Sequence, residues 1–239
     1  MMRTLYRASD IAGEQSVRAG PLNWSRPKAP ILYVHGASDL ADTWMRVPSR
    51  IPVMRALTQE GYTVMSHDNG GAQTWGSDTA MARMSAAFEQ LQADTSVMPG
   101  RVVLLGQSMG GLNSILWAAR NPSKVAAVVL FLPVLDLGEV HATPGGYGGL
   151  IDAALGINYS DEVQGAMRSP IIMARNGIAP RVPCQIWYGA GDELCRPAKA
   201  VEYSALTGAD ARKVPGGHAE ETVGGIDPDE VARFIARST

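Results

Sequence analysis

The segment Arg101 to Leu112, RVVLLGQSMGGL, constrains the fold of this chain more than any other. Val102 to Leu105 is a short apolar run of the kind that fills a buried strand, and Leu112 to Arg120 has the spacing of a helix. Between them stands Gly106-Gln107-Ser108-Met109-Gly110. A strand that becomes a helix within so few residues needs a sharp turn, and glycine on both sides of the serine lets backbone pass close to backbone. Such a turn strains its central residue and points the Ser108 hydroxyl up from the sheet. The plainer alternative is a glycine-rich connection whose serine caps the helix that follows.

The rest of the chain repeats this alternation. Apolar runs at Ile31 to Val34, Tyr62 to Ser66, Val125 to Leu132, Cys184 to Tyr188 and Ala211 to Val214 read as strands. Thr43 to Gln59, broken by Pro48 and Pro52, Thr79 to Thr95, and Pro197 to Leu206 read as helices. A last helix opens at Asp227-Pro228-Asp229-Glu230, with proline and acids in its first turn. Arg3 to Arg7 and Ser16 to Trp24 read as two short antiparallel strands ahead of the series. Strands apolar throughout, alternating with helices, predict an α/β fold: a mostly parallel, doubly wound sheet of about eight strands with helices on both faces. Residues 137–182 interrupt the alternation with a glycine-rich stretch and two apolar patches, Leu150 to Ile157 and Ile171 to Ala174. They read as a small cap inserted into a core domain formed by 1–136 and 183–239.

Composition excludes several classes. The net charge is −2 and Lys and Arg are scattered, with no basic stripe for nucleic acid and no polybasic segment for an anionic membrane. No apolar run approaches the ~20 residues that span a bilayer. The opening MMRTLYRASDIAGEQ has no apolar core of the secretory type, so the expected location is cytoplasmic, without excluding release by lysis or assembly into a particle. Cys184 and Cys195 flank a predicted strand of ~5 residues, ~16 Å long, too far apart for a disulfide unless the loop doubles back; two free thiols are expected. The four histidines have no ligand spacing, so neither metal nor cofactor is expected.

A serine hydroxyl becomes a nucleophile only with a base in reach, an acid to orient the base and donors for the oxyanion. Each role has a candidate just past a predicted strand, at the edge where open α/β sheets carry their sites. His218, in Val214-Pro215-Gly216-Gly217-His218, is the candidate base, with His67 as runner-up; His35 belongs to another motif and His141 lies in the cap. Asp192, after Gly189-Ala190-Gly191, is the candidate acid, with Asp136 second, and Glu193 beside it is expected to face solvent. The Met109 amide comes with the turn, and a second donor is expected from the loop His35-Gly36-Ala37-Ser38: Ala37, or failing that Ser38.

Taken together these residues resemble an α/β-hydrolase-fold serine hydrolase. Ser108, Asp192 and His218 follow that family's chain order of nucleophile, acid and base, His35-Gly36 matches its oxyanion loop, and 137–182 stands at its usual cap position. The likeness runs from Ile31 to Ser238. Serine at the turn separates the chain from members that use aspartate there, and HGAS departs from the HGGG of some lipases and esterases. The resemblance implies cleavage of a carboxylic ester through an acyl-enzyme, on a small-molecule or lipid-like substrate. Acyl transfer or thioester cleavage would use the same triad, and a non-catalytic binding protein is the alternative of another class. Ser38, Trp44, Trp75, Tyr147, Leu150 and Met173 are candidates for the substrate pocket, though the apolar five read more readily as core than as pocket wall.

Overall fold

The computed structural model describes residues 13–20 and 26–239 in full and the backbone of 3–8. In chain order the elements are β1 (Arg3–Ala8), β2 (Gln15–Gly20), β3 (Ile31–Val34), α1 (Thr43–Arg46), α2 (Ile51–Gln59), β4 (Val64–His67), α3 (Asp78–Gln92), β5 (Val102–Gln107), α4 (Met109–Arg120) and β6 (Val125–Phe131). Then come α5 (Leu137–His141), α6 (Gly148–Leu155), α7 (Asp161–Arg168), α8 (Pro170–Arg175), β7 (Cys184–Gly189), α9 (Pro197–Thr207), β8 (Asp210–Val214), α10 (Glu220–Gly224) and α11 (Pro228–Ser238). The end of the expected second strand, 21–24, lies outside the described residues.

The strands make one eight-stranded sheet in the order β1-β2-β4-β3-β5-β6-β7-β8. β1 and β2 pair antiparallel, β2 joins β4 antiparallel, and the pairings from β4 to β8 are parallel. β3, β5 and β6 are buried along their whole length, which is why they carry no polar alternation. Successive residues feed opposite faces. Leu32, Val34, Leu104, Val128 and Leu130 join the layer under α3, α4 and α9, while Ile31, Tyr33, Val103, Leu105 and Val129 join the layer under α1, α2 and α11.

From β3 the chain moves to β4 on one side and then to β5 on the other. This reversal opens a crevice at the carboxyl ends of β3 and β5, and it brings the loop after β3 beside the turn after β5. Pro48 and Pro52 break the first helical stretch as expected: α1 ends at Arg46, and α2 starts with proline in its first turn. Asp227 caps α11 by accepting from the amides of Asp229 and Glu230. Between β6 and β7 stand α5 to α8, two of which coincide with the expected apolar patches.

Trp117 shows how the helical layer closes. It is fully buried on α4, its ring centroid lies 5.6 Å from that of Phe88 on α3, and its indole N–H donates to Ser85 Oγ at 3.0 Å. Trp117→Ala leaves a large cavity and removes the indole's bond to Ser85, so it is expected to cost about 3–5 kcal/mol. Urea denaturation would show this as a lower midpoint at unchanged slope.

Candidate active site

β5 runs directly into α4, and Ser108 between them takes φ 51° and ψ −116°. A non-glycine residue held there carries about 1–3 kcal/mol of strain. Hydrogen bonds on both sides hold it. Ser108 N donates to Phe131 O at 2.9 Å, and its carbonyl accepts from Gly111 at 2.9 Å and Val134 at 3.1 Å. The flanking glycines are required by close approach. A Cβ on Gly110 would lie 2.0 Å from Val34 O, and one on Gly106 would lie 2.5 Å from Gly110 O. The Ser108 side chain makes no capping bond, so the plain capping role does not describe it.

Instead Ser108 Oγ lies 2.9 Å from His218 Nε2, and His218 Nδ1 lies 2.9 Å from Asp192 Oδ2. The second carboxylate oxygen of Asp192 accepts from the amides of Leu194 at 3.0 Å and Cys195 at 2.7 Å. An Asp192 side chain with no exposure thus has its lone pairs taken, and it sets the tautomer in which Nδ1 donates and Nε2 accepts. The Asp192 and His218 loops touch backbone to backbone. Gly191 N donates to Gly216 O at 2.8 Å, and a Cβ on Gly189 would lie 2.8 Å from that same carbonyl.

The loop after β3 lies against the turn, for a Cβ on Gly36 would stand 3.6 Å from Ser108 Cβ. Met109 N is the first amide of α4, where a helix leaves the N–H unpaired. The Ala37 amide meets no acceptor among the described residues, whereas Ser38 N donates to Ala72 O at 2.8 Å. Ala37 is therefore the free donor and Ser38 the committed one.

The runners-up lie elsewhere. His67 is fully buried at the end of β4, where Nδ1 accepts from Asn69 N at 2.9 Å, and burial holds its pKa below the ordinary value. Asp136 caps α5 and pairs with Lys199 at 2.7 Å. His35 bridges the Gly36 and Asp68 carbonyls, His141 pairs with Asp152, and Glu193 is exposed. Of the pocket candidates, Trp44 is a correction: it is fully buried in the opposite layer, its ring 6.4 Å from that of Tyr33. Met173 also belongs to the packed interior. Leu150 is exposed on α6. Tyr147 is half-buried and packs at a tilt on the buried Trp75, ring centroids 4.7 Å apart, and Thr74 beside Trp75 donates to Met109 Sδ at 3.2 Å, so these aromatics adjoin the turn.

Sequence reasoning missed a partly buried polar ring around the site. Arg50 donates to Asp39 at 2.7 Å, to the Tyr33 hydroxyl at 3.2 Å and to both carboxylate oxygens of Glu220. Tyr33 donates to Gln107 Oε1 at 3.0 Å, and Gln107 Nε2 donates to Glu220 at 3.1 Å. Burial alone would raise the Glu220 pKa, but the bonds from Arg50 and Ser49 outweigh it and hold the carboxyl below its ordinary value. Burial raises the Tyr33 phenol far above its ordinary range, so the hydroxyl stays neutral and able to donate.

The fold also gathers one set of mixed donors. Atoms of Asp192, Cys195 and His218 lie within 4.8 Å of one another, a grouping no sequence spacing announced. Two of them are already bonded together, and burial, with the Asp192 charge second, pushes the Cys195 thiol well above its ordinary pKa. Such a thiol resists becoming the thiolate that metals bind, so this trio is a poor fit for a resident ion. Cys184, also a free thiol, is pushed up to about 12 by burial. Among the described residues no helix is long and apolar enough to cross a membrane.

A profile of the family described as serine aminopeptidase, S33, matches residues 25–146. Among curated proteins no relative matches. The fold is similar to that of a fluorophosphonate-binding serine hydrolase of Staphylococcus aureus, at TM-score 0.74 and 16% identity, covering 100% of this chain and 98% of that one. It is likewise similar to an S-formylglutathione hydrolase of Agrobacterium tumefaciens, at 0.76 and 13% over 100% and 96% of the two chains. An esterase of Pyrococcus furiosus aligns at 0.70 and 15% over 100% and 93%.

Gly110→Ala forces its new methyl into Val34 O and is expected to cost about 1–3 kcal/mol or more, read as a drop in melting temperature. Glu220 is expected to shape acid stability. Its folded pKa lies below the unfolded value near 4.5, so the stability it adds is complete above that value and is lost as pH falls through the folded one. In melting curves across that range, the gap between the parent protein and Glu220→Gln should be widest at neutral pH and close on acidification.

Proposed function

The chain belongs to the serine aminopeptidase, S33, family, and from that premise we propose that it hydrolyses carboxylic esters through an acyl-enzyme on Ser108, His218 and Asp192. The single observation that carries this reading is the continuous line of 2.9 Å contacts from hydroxyl to imidazole to carboxylate. Ser108 attacks the acyl carbon as His218 Nε2 takes its proton. Asp192 steadies the imidazolium through Nδ1, and the Met109 and Ala37 amides receive the charge on the carbonyl oxygen. The imidazolium then protonates the leaving alcohol, and water, activated by the same imidazole, releases the acid. A turn that already holds Ser108 at φ 51° spends no further ordering on the attacking group.

Two features favour esters over a peptide's free amino terminus. Asp39 and Glu220, the carboxylates nearest the oxyanion and base loops in sequence, are occupied by Arg50 and unavailable to pair with an ammonium. The half-buried Tyr147 ring, tilted against the buried Trp75, offers an apolar flank beside Met109. Acyl transfer or thioester cleavage would run through the same intermediate, and an added alcohol or amine acceptor would separate transfer from hydrolysis by product.

A panel of p-nitrophenyl esters of increasing chain length, with Ser108→Ala as control, tests the reading. Turnover is expected in the parent protein, and a loss of several orders of magnitude in the variant, because the serine and its base act as one unit. A fluorophosphonate probe should label the parent protein at Ser108. Equal ester turnover in Ser108→Ala, or failure to label, would return the chain to the class of binding proteins.

A further inference from the structure

We infer that Arg50 is a positioning residue for this site: one buried guanidinium ties together the loops that carry the oxyanion donor, the nucleophile and the base. The inference rests on the reading of the site given above. Arg50 is 5% exposed and lies outside the triad, at the start of α2. It bonds Asp39, Tyr33 and Glu220 directly and reaches Gln107 through the last two. Asp39 stands two residues after Ala37, Gln107 is the residue before Ser108, and Glu220 is two residues after His218. Arg50, Tyr33, Gln107 and Glu220 close a ring in which each side chain bonds the next, and Asp39 hangs on the same guanidinium. Ser49 adds a bond to Glu220 at 2.6 Å.

Stability alone does not account for this arrangement. Burying an arginine, here against two partly exposed carboxylates, carries a desolvation cost, and apolar side chains of similar volume commonly hold a core as well or better. The apolar layer that holds Tyr33 and Trp44 draws on side chains of β3, α1, α2 and α11. What a charged hub adds is direction, because the planar guanidinium fork fixes its partners in angle as well as distance. The Ala37 loop follows β3 and the His218 loop follows β8, strands that do not pair with each other, yet the oxyanion donor and the base must be placed against one hydroxyl. A misplacement of ~1 Å at such a site costs on the order of 10² in rate. The Asp39 carboxylate also stands close to Gly36, the residue whose backbone lies against Ser108.

The test compares Arg50→Met, Asp39→Ala, Glu220→Gln and the double variant Asp39→Ala/Glu220→Gln in the full chain. Their kcat and KM for a p-nitrophenyl ester are measured alongside hydrogen exchange at 36–41 and 216–222. For folded variants the expected result is a kcat lower by about 10- to 100-fold with KM changed less than about twofold. The double variant should lose less than the product of its singles, since both loops hang on one group. Asp39→Ala should also speed exchange at 216–222, and Glu220→Gln at 36–41. Exchange that quickens only in the altered residue's own loop, or a kcat that stays at the parent value, overturns the inference. Should Arg50→Met fail to fold, the two carboxylate variants decide alone. Should the parent protein cleave no ester, the reading of its function fails, and the cross-loop exchange still decides whether Arg50 couples the loops.

Discussion

The strain at Ser108 is the constraint around which the structure is arranged. A serine at φ 51° does not stay there by local preference, and the surrounding sheet and helix must over-determine it. They do so through close packing. Gly110 rides against the end of β3, Gly106 against the first turn of α4, and the Ser108 amide and carbonyl are pinned to the ends of β6 and its following loop. Each contact joins an element of the parallel sheet to the turn, so a loosened sheet would release the serine. The stability of the two apolar layers is thus coupled to the geometry of one hydroxyl.

Polar groups around that hydroxyl follow a second rule, that buried charge must be answered. Asp192 is answered by His218 and two amides, and Glu220 and Asp39 are answered by Arg50. The result is a site with fixed dipoles and little freedom to reorganise, the condition under which such groups act most strongly on developing charge. The family membership and the fold shared with serine hydrolases of low identity accord with this layout. At such identities the likeness speaks for the fold, and the chemistry rests on the residues themselves.

Much of this was legible in the linear order because it is encoded by local pattern. The runs at Val102 and Val125 read as buried strands since they are covered on both faces, and the prolines at 48 and 52 broke a helix where expected. Ser108, His218 and Asp192 stood out because each follows a strand and sits among glycines. Other features had no local signal. The helices α7 and α10 are eight and five residues long, too short for a secure apolar period. Trp44 was a reasonable pocket candidate by residue type, but type does not say which layer a tryptophan enters, and it entered the one across the sheet from α4.

Sequence by itself determined the α/β class, the strained turn, and the candidates for nucleophile, base and acid, because apolar periodicity and glycine placement act over a few neighbouring residues. Tertiary structure alone decided that Ala37 rather than Ser38 keeps its amide free, that Cys195 comes to rest beside Asp192, and that Arg50 gathers carboxylates 11 residues behind it and 170 residues ahead. Those outcomes depend on which loops the sheet's strand order sets side by side, and contact between residues so distant is settled only when the whole chain has packed.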